Sequence, residues 1–294
     1  MNDVEVLEEV RRLEITTRHL VRDILAGQYL SVFHGRGVEF SEVREYQPGD
    51  DVRSIDWNVT ARLGTAYVKR YIEERALTVM FLVDLSASRH FGTRRRTKGD
   101  LATELCAVLA LAAARNHDRT GALFFTDRVE RYIAPRQGRR QALRLVSDLL
   151  TFAPQGTGTD LSAALEFLEP TLRRRTVLFI LSDFLTEGYE TGLTLAARRH
   201  DVIPLQLIDP RERELVPAGL VTLWDEESGR WQPVDTDSPA VREHFRARME
   251  QVDGSLEQLL QARGLDLVRL RTDASFAEPL IAFFRRRERR RAHG

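Results

Sequence analysis

The chain has 294 residues, 43% of them hydrophobic and 30% charged, the make-up of a soluble globular protein with a sizeable core. Its 44 basic side chains equal its 44 acidic ones, which argues against nucleic acid as a main partner, because phosphate binding normally leaves a basic excess. The single cysteine, Cys106, excludes an intramolecular disulfide and cysteine-based zinc sites, and within its apolar run it reads as a small buried hydrophobe on a helix.

Residues 1–30 read as helix, with Val6, Val10, Leu13, Leu20 and Ile24 near helical spacing. The start is charged throughout, unlike a secretory signal, and the longest strictly apolar stretch, Leu105–Ala114, falls short of the roughly 20 residues of a membrane span. A cytoplasmic protein without a membrane span is therefore expected. Residues 31–75 are charge-dense and punctuated by Gly35, Gly37, Pro48 and Gly49; pieces such as Val38–Phe40 and Ala66–Val68 predict strands joined by turns. The density of charge around Asp50 and Asp51 suits either a solvated face or a second docking surface.

From Thr78 the pattern changes. TVMFLVD is a continuous apolar run ending in a carboxylate, as in a strand buried on both faces. A helix over Leu101–Asn116 follows, then the strands GALFFTD and VERYIAP, a helix from Arg139 to Leu150, and a helix opening after QGTGTD and running through Leu168. Next come the strand TVLFILSD, a helix over Gly192–His200 and the strand VIPLQLID. Residues 211–237 read as a loop-and-hairpin insertion, followed by a helix over Pro239–Arg263, the strand LDLVRL and a helix over Phe276–Arg291. Alternating strands and helices of this length imply crossover units: an α/β, doubly wound, mostly parallel sheet. The expected organisation is residues 76–294 as that domain, with 1–75 as an N-terminal helix and small β-rich extension packed on it.

In such sheets ligands bind beyond the carboxyl ends of strands, where strand order reverses. There the sequence places Asp84-Leu85-Ser86-Ala87-Ser88, Leu181-Ser182-Asp183 and the loop Gly156-Thr157-Gly158-Thr159-Asp160. All-oxygen donors of low total charge suit Mg²⁺, or Mn²⁺ and Ca²⁺, and disfavour zinc or copper. The bland alternative makes these serines and threonines turn and helix-cap residues with no ion. Other chemistries fare worse. GTGTDL is a near miss for a dinucleotide fingerprint and no P-loop lysine is present. His19, His34, His90, His117, His200, His244 and His293 form no ligand pair at i, i+4. Arg94-Arg95-Arg96, in the loop after the first motif, is expected near the rim of the site, where it would favour an acidic partner surface.

The D-x-S-x-S run at Asp84–Ser88, the G-T-x₄-A-L run at Gly158–Leu165 and the strand-end Asp183 resemble the metal-ion-dependent adhesion site (MIDAS) of von Willebrand factor type A domains. That resemblance implies Asp84, Ser86, Ser88, Thr159 and Asp183 as metal ligands, with a carboxylate from a partner completing the shell. The stretch Gly35–Arg75, GRGVEFSEVREYQPGDDVRSIDWNVTARLGTAYVKRYIEER, is similar to the signature of bacterial domain-of-unknown-function family 58, which precedes a type A domain. The likeness covers roughly residues 30–290. Many such relatives carry two membrane spans ahead of it, which this chain is expected to lack. The family implies a partner AAA+ ATPase of the MoxR group. The expected function is a non-enzymatic, metal-dependent adaptor, chaperone-like in the assembly or maturation of a client that offers an Asp or Glu. The other function class weighed is a Mg²⁺-dependent hydrolase of phosphoesters, in which two carboxylates and a hydroxyl activate water.

Overall fold

The computed structural model describes residues 3–19, 42–47, 50, 52, 55–70, 76–93, 96–225 and 230–293. The chain begins with α1 (Asp3–His19), whose buried Val6, Val10 and Leu13 pack on Ala107 and Val146 of two later helices. The rest of the expected helix over 1–30, the expected strand at Val38–Phe40 and Asp51 lie outside the described residues. β1 (Glu42–Glu45) pairs antiparallel with β2 (Tyr67–Arg70). Between them the segment is not only turns: α2 (Trp57–Leu63) forms, with the Asp56 carboxylate accepting a hydrogen bond from Val59 N at 3.3 Å. Asp56 is a local N-cap, and one short side chain is enough to start a two-turn helix that hydrophobic spacing does not reveal.

The main body is a six-stranded sheet. Its strands are β3 (Thr78–Asp84), β4 (Arg119–Phe125), β5 (Val129–Gln137), β6 (Val177–Ser182), β7 (Asp201–Ile208) and a last one, Val268–Arg271, which follows the hairpin β8 (Leu220–Asp225) and β9 (Arg230–Asp235) and is therefore β10. The spatial order is β10-β7-β6-β3-β4-β5, parallel except for the antiparallel edge pair β4–β5.

Side-chain alternation explains why the central strands are apolar throughout. In β3, Val79, Phe81 and Val83 enter one core while Met80 and Leu82 enter the other; β6 divides likewise, Val177, Phe179 and Leu181 against Leu178 and Ile180. Phe81 and Phe179 stack across the strands at 5.7 Å between ring centroids. On the first face lie α3 (Lys98–Arg115), α4 (Arg139–Thr151) and α8 (Ala277–His293). On the second lie α5 (Leu161–Thr171), α6 (Glu190–Arg199) and α7 (Pro239–Gln261). A sheet covered on both faces needs apolar residues at every strand position, so period-two alternation vanishes from the sequence. Among the described residues no helix is long and apolar enough to cross a membrane.

The order of strands also locates the crevice. β3 sits between β4, which follows it through α3 on one face, and β6, which leads to β7 through α6 on the other. Chain direction across the sheet thus reverses between β3 and β6, and the carboxyl ends of these two strands face an open gap between diverging connections.

Candidate functional site

Asp84 is the last residue of β3 and Asp183 follows the last residue of the adjacent β6. Both are almost fully buried, as is Ser86. Each Asp84 oxygen is held. Oδ1 accepts from Ser86 N at 2.9 Å, which curls the chain after the strand, and Oδ2 accepts from the Ser182 hydroxyl at 2.7 Å. The hydroxyls of Ser86 and Ser88 lie 3.1 Å apart, and Ser88 also bonds the Asp183 carboxylate. Ser86 leads into a single 3₁₀ turn, Ala87–His90, so the i, i+2, i+4 side chains of the D-x-S-x-S run gather on one side of the loop.

A sharp bend presents Asp183. Phe184 has φ 58, a left-handed conformation that is uncommon for an aromatic residue. Burial of its ring against Tyr189, with centroids 6.1 Å apart, and a hydrogen bond from its N–H to Ser182 Oγ at 3.1 Å hold it there. Asp183 Oδ1 then accepts from Leu185 N at 3.1 Å. Beside this bend a groove of about 720 Å³ opens towards α7, with Phe184, Thr186, Tyr189, His244 and Arg248 in its wall.

The third loop is stitched to the other two through its backbone. Ala87 N donates to Thr157 O at 2.9 Å, Thr186 Oγ1 donates to Thr159 O at 2.9 Å, and Asp160 N donates to Thr126 O at 2.8 Å. Asp160 caps α5 by accepting from Ala163 N. Glu130 anchors the start of the loop, its Oε1 accepting from Thr126 Oγ1, Gln155 N and Gly156 N at 2.8, 3.0 and 2.7 Å. The structure therefore brings Asp84, Ser86, Ser88 and Asp183 together through side chains, and ties half-buried Thr159 in by its carbonyl.

Three further participants are not among the predicted ligands. Ser182 donates to Asp84 Oδ2 and accepts from Phe184 N, tying the end of β3 to the bend after β6. Lys98, the first residue of α3, is 3% exposed, and its ammonium donates to Asp183 Oδ2 at 2.7 Å and to Glu212 Oε1 at 2.5 Å. Glu212 ends the 3₁₀ turn Pro210–Glu212 after β7, where its Oε2 accepts from Asp209 N at 3.1 Å. Only the scarcity of lysine marks Lys98 in the sequence, since Lys69 is the only other one among 44 basic residues. Of the arginines expected at the rim, Arg94 and Arg95 lie outside the described residues. Arg96 is engaged elsewhere: it pairs with Glu104, donates to Ala274 O and covers the Phe276 ring at 5.4 Å.

The electrostatics divide the two aspartates. Burial and the neighbouring Asp183 charge push Asp84 up to about 6, against the hydrogen bonds it accepts. Burial would raise Asp183 too, but the Lys98 ammonium together with the hydrogen bonds from Leu185 N and Ser88 outweighs it and holds that carboxyl below the ordinary aspartate range. Lys98 itself is raised: desolvation disfavours its charge, and Asp183 and Glu212 overcome that penalty. With all three carboxylates ionised against one ammonium, the cluster is left with two uncompensated negative charges. A hard divalent cation would balance that charge, and the nearby oxygens are its preferred donor type. The residues fit such an ion.

The family described as "Protein of unknown function DUF58" matches residues 42–253. The chain belongs to the DUF58 family. An uncharacterized protein of Mycobacterium tuberculosis is 34% identical over 98% of this chain and 92% of its own length. A second uncharacterized protein, from Mycobacterium avium, is 29% identical over 53% of this chain and 94% of its own. Among solved structures, the conserved hypothetical protein BatB from Bacteroides thetaiotaomicron is similar, with TM-score 0.46 and 15% identity over 73% of this DUF58 chain and all of that one. A von Willebrand factor type A protein from Catenulispora acidiphila gives TM-score 0.38 and 10% identity over 72% of this chain and 43% of that one.

Proposed function

We propose that this DUF58 protein is an adaptor that binds a partner protein through a divalent cation, Mg²⁺ in the first instance, held by Asp84, Ser86, Ser88, Thr159 and Asp183. The observation that carries this reading is the convergence of two buried carboxylates and two hydroxyls at the switch point of the sheet, with negative charge in excess. When bound, the ion supplies an electrophilic surface patch for one Asp or Glu of the partner. The chain's own residues do the positioning: Ser182 and Ser86 N fix Asp84, Leu185 N fixes Asp183, and Glu130 fixes the loop that carries Thr159. The groove between the Phe184 bend and α7 provides surface for the partner beside that patch.

The partner proposed is a MoxR-type AAA+ ATPase, the class that the resemblance implies, together with a client whose assembly or maturation the pair assists. Capture of the purified ATPase on immobilised protein in Mg²⁺ tests it. Binding should be lost in EDTA and with Asp183→Ala. Retention under both conditions would overturn the metal-dependent adaptor, and phosphoester turnover abolished by Asp84→Ala would replace it with the hydrolase.

A further inference from the structure

Lys98 is placed where ordinary helix physics disfavours it. It is the first residue of α3, at the positive end of the helix dipole, with a backbone already capped by the reciprocal Thr97–Asp100 box. Its side chain is 3% exposed, so the charge is desolvated as well. A surface lysine serving solubility would do neither. The ammonium instead spans two carboxylates from different strand ends, Asp183 at 2.7 Å and Glu212 at 2.5 Å. The chain uses arginine almost everywhere else, yet here it places a compact point charge with tetrahedral donors, which mimics a small cation better than a planar guanidinium does.

We infer that Lys98 is a tethered cation that competes with the divalent ion for the Asp183 carboxylate, and that Glu212 is where its ammonium rests when the ion is bound. This rests on the metal reading above and adds to it an internal control of affinity. Glu212 is suited to the part. Its other oxygen is fixed by Asp209 N at 3.1 Å, and Asp209 is in turn held by Thr93 and Thr272. The lysine can therefore leave Asp183 without becoming an unpaired buried charge, whose cost would otherwise forbid the exchange. In this arrangement the site holds Asp183 in shape without metal and gives it up only to an ion stabilised further, as by a partner's carboxylate.

The test is calorimetric titration of Mg²⁺ and Mn²⁺ into the full chain as wild type, Lys98→Met, Lys98→Gln and Arg213→Gln. Arg213 leaves the same 3₁₀ turn but pairs with Asp253 at 2.9 Å, so its replacement controls for loss of a nearby positive charge. Removing the lysine should tighten divalent binding by at least about tenfold, since a like charge beside the ion is taken away; Arg213→Gln should stay within about twofold. In EDTA the Lys98→Met protein should melt below wild type, and Mg²⁺ should raise its Tm by more than it raises that of wild type. Should Lys98→Met not fold, Lys98→Gln, which keeps a donor for Asp183, is read in the same way. Binding by the Lys98 variants alone also supports the competition. Wild-type binding with equal or weaker affinity in the Lys98 variants overturns it and leaves the metal site standing; no binding by any of the proteins overturns both.

Discussion

Asp209 shows how much of this protein's organisation hangs on single buried carboxylates. It has no exposed surface, and it accepts hydrogen bonds from Thr93 N, Thr93 Oγ1, Arg211 N and Thr272 Oγ1 at 3.0, 2.7, 2.9 and 2.6 Å. Burial alone would raise its pKa, but the bonds from Thr272, Arg211 and Thr93 outweigh burial and hold it low. A carboxyl whose folded value lies below the unfolded one stabilises the fold above the ordinary range of about 3.9, and that contribution drains away as pH falls through the folded value. Asp209→Asn should therefore cost about 1–3 kcal/mol at pH 7, by leaving donors badly matched. In urea titrations the gap from wild type should narrow between pH 7 and pH 3; an equal gap at both would refute the assignment. At this scale Asp84, Ser86, Ser88 and Asp183 are legible in the sequence because each stands at or just past the end of an apolar run. Lys98 and Glu212 are not, lying 85 residues before and 29 after Asp183, whose carboxylate the Lys98 ammonium joins to that of Glu212.

Among the elements, the loop before α5 is the most demanding. A Cβ at Gly156 would lie 2.1 Å from Asp127 Oδ1 and 2.2 Å from Thr126 Oγ1. The Asp127 carboxylate can swing away, but the Thr126 hydroxyl is short, buried and committed to Glu130. Gly156→Ala should cost about 1–3 kcal/mol through overpacking. It should also weaken Mg²⁺ affinity by displacing Thr159, while near-ultraviolet circular dichroism of the core stays unchanged. Unaltered affinity would show that the loop's position does not matter to the ion. The central strands were readable element by element, β3 to the residue and β6 to within one at each end, because burial on both faces leaves uninterrupted apolar runs. The seven-residue α2 was not, since one capping carboxylate rather than an amphipathic stripe decides it.

For the molecule as a whole, ion binding and folding stability are linked. Mg²⁺ at about 100 times its Kd should stabilise the native state by about 2.7 kcal/mol, since an unfolded chain does not assemble the site. Cys106 offers a direct readout: it is 1% exposed within the α3 core, and burial pushes its thiol up, so labelling requires unfolding. Saturating Mg²⁺ should slow labelling about 100-fold in wild type and not at all in Asp183→Ala. Labelling that ignores Mg²⁺ in wild type would count against the site. The sequence by itself determined the α/β class, the strands that form the double-faced core and the oxygen-rich loops at their ends, because hydrophobic periodicity and strand-end chemistry are local properties of the chain. Only the tertiary structure decided that β6 rather than another strand lies beside β3, and that a helix-start lysine reaches the site from the first face. Pairing across a parallel sheet and burial of a compensated charge depend on contacts between segments remote in sequence, and no local pattern encodes which segments those are.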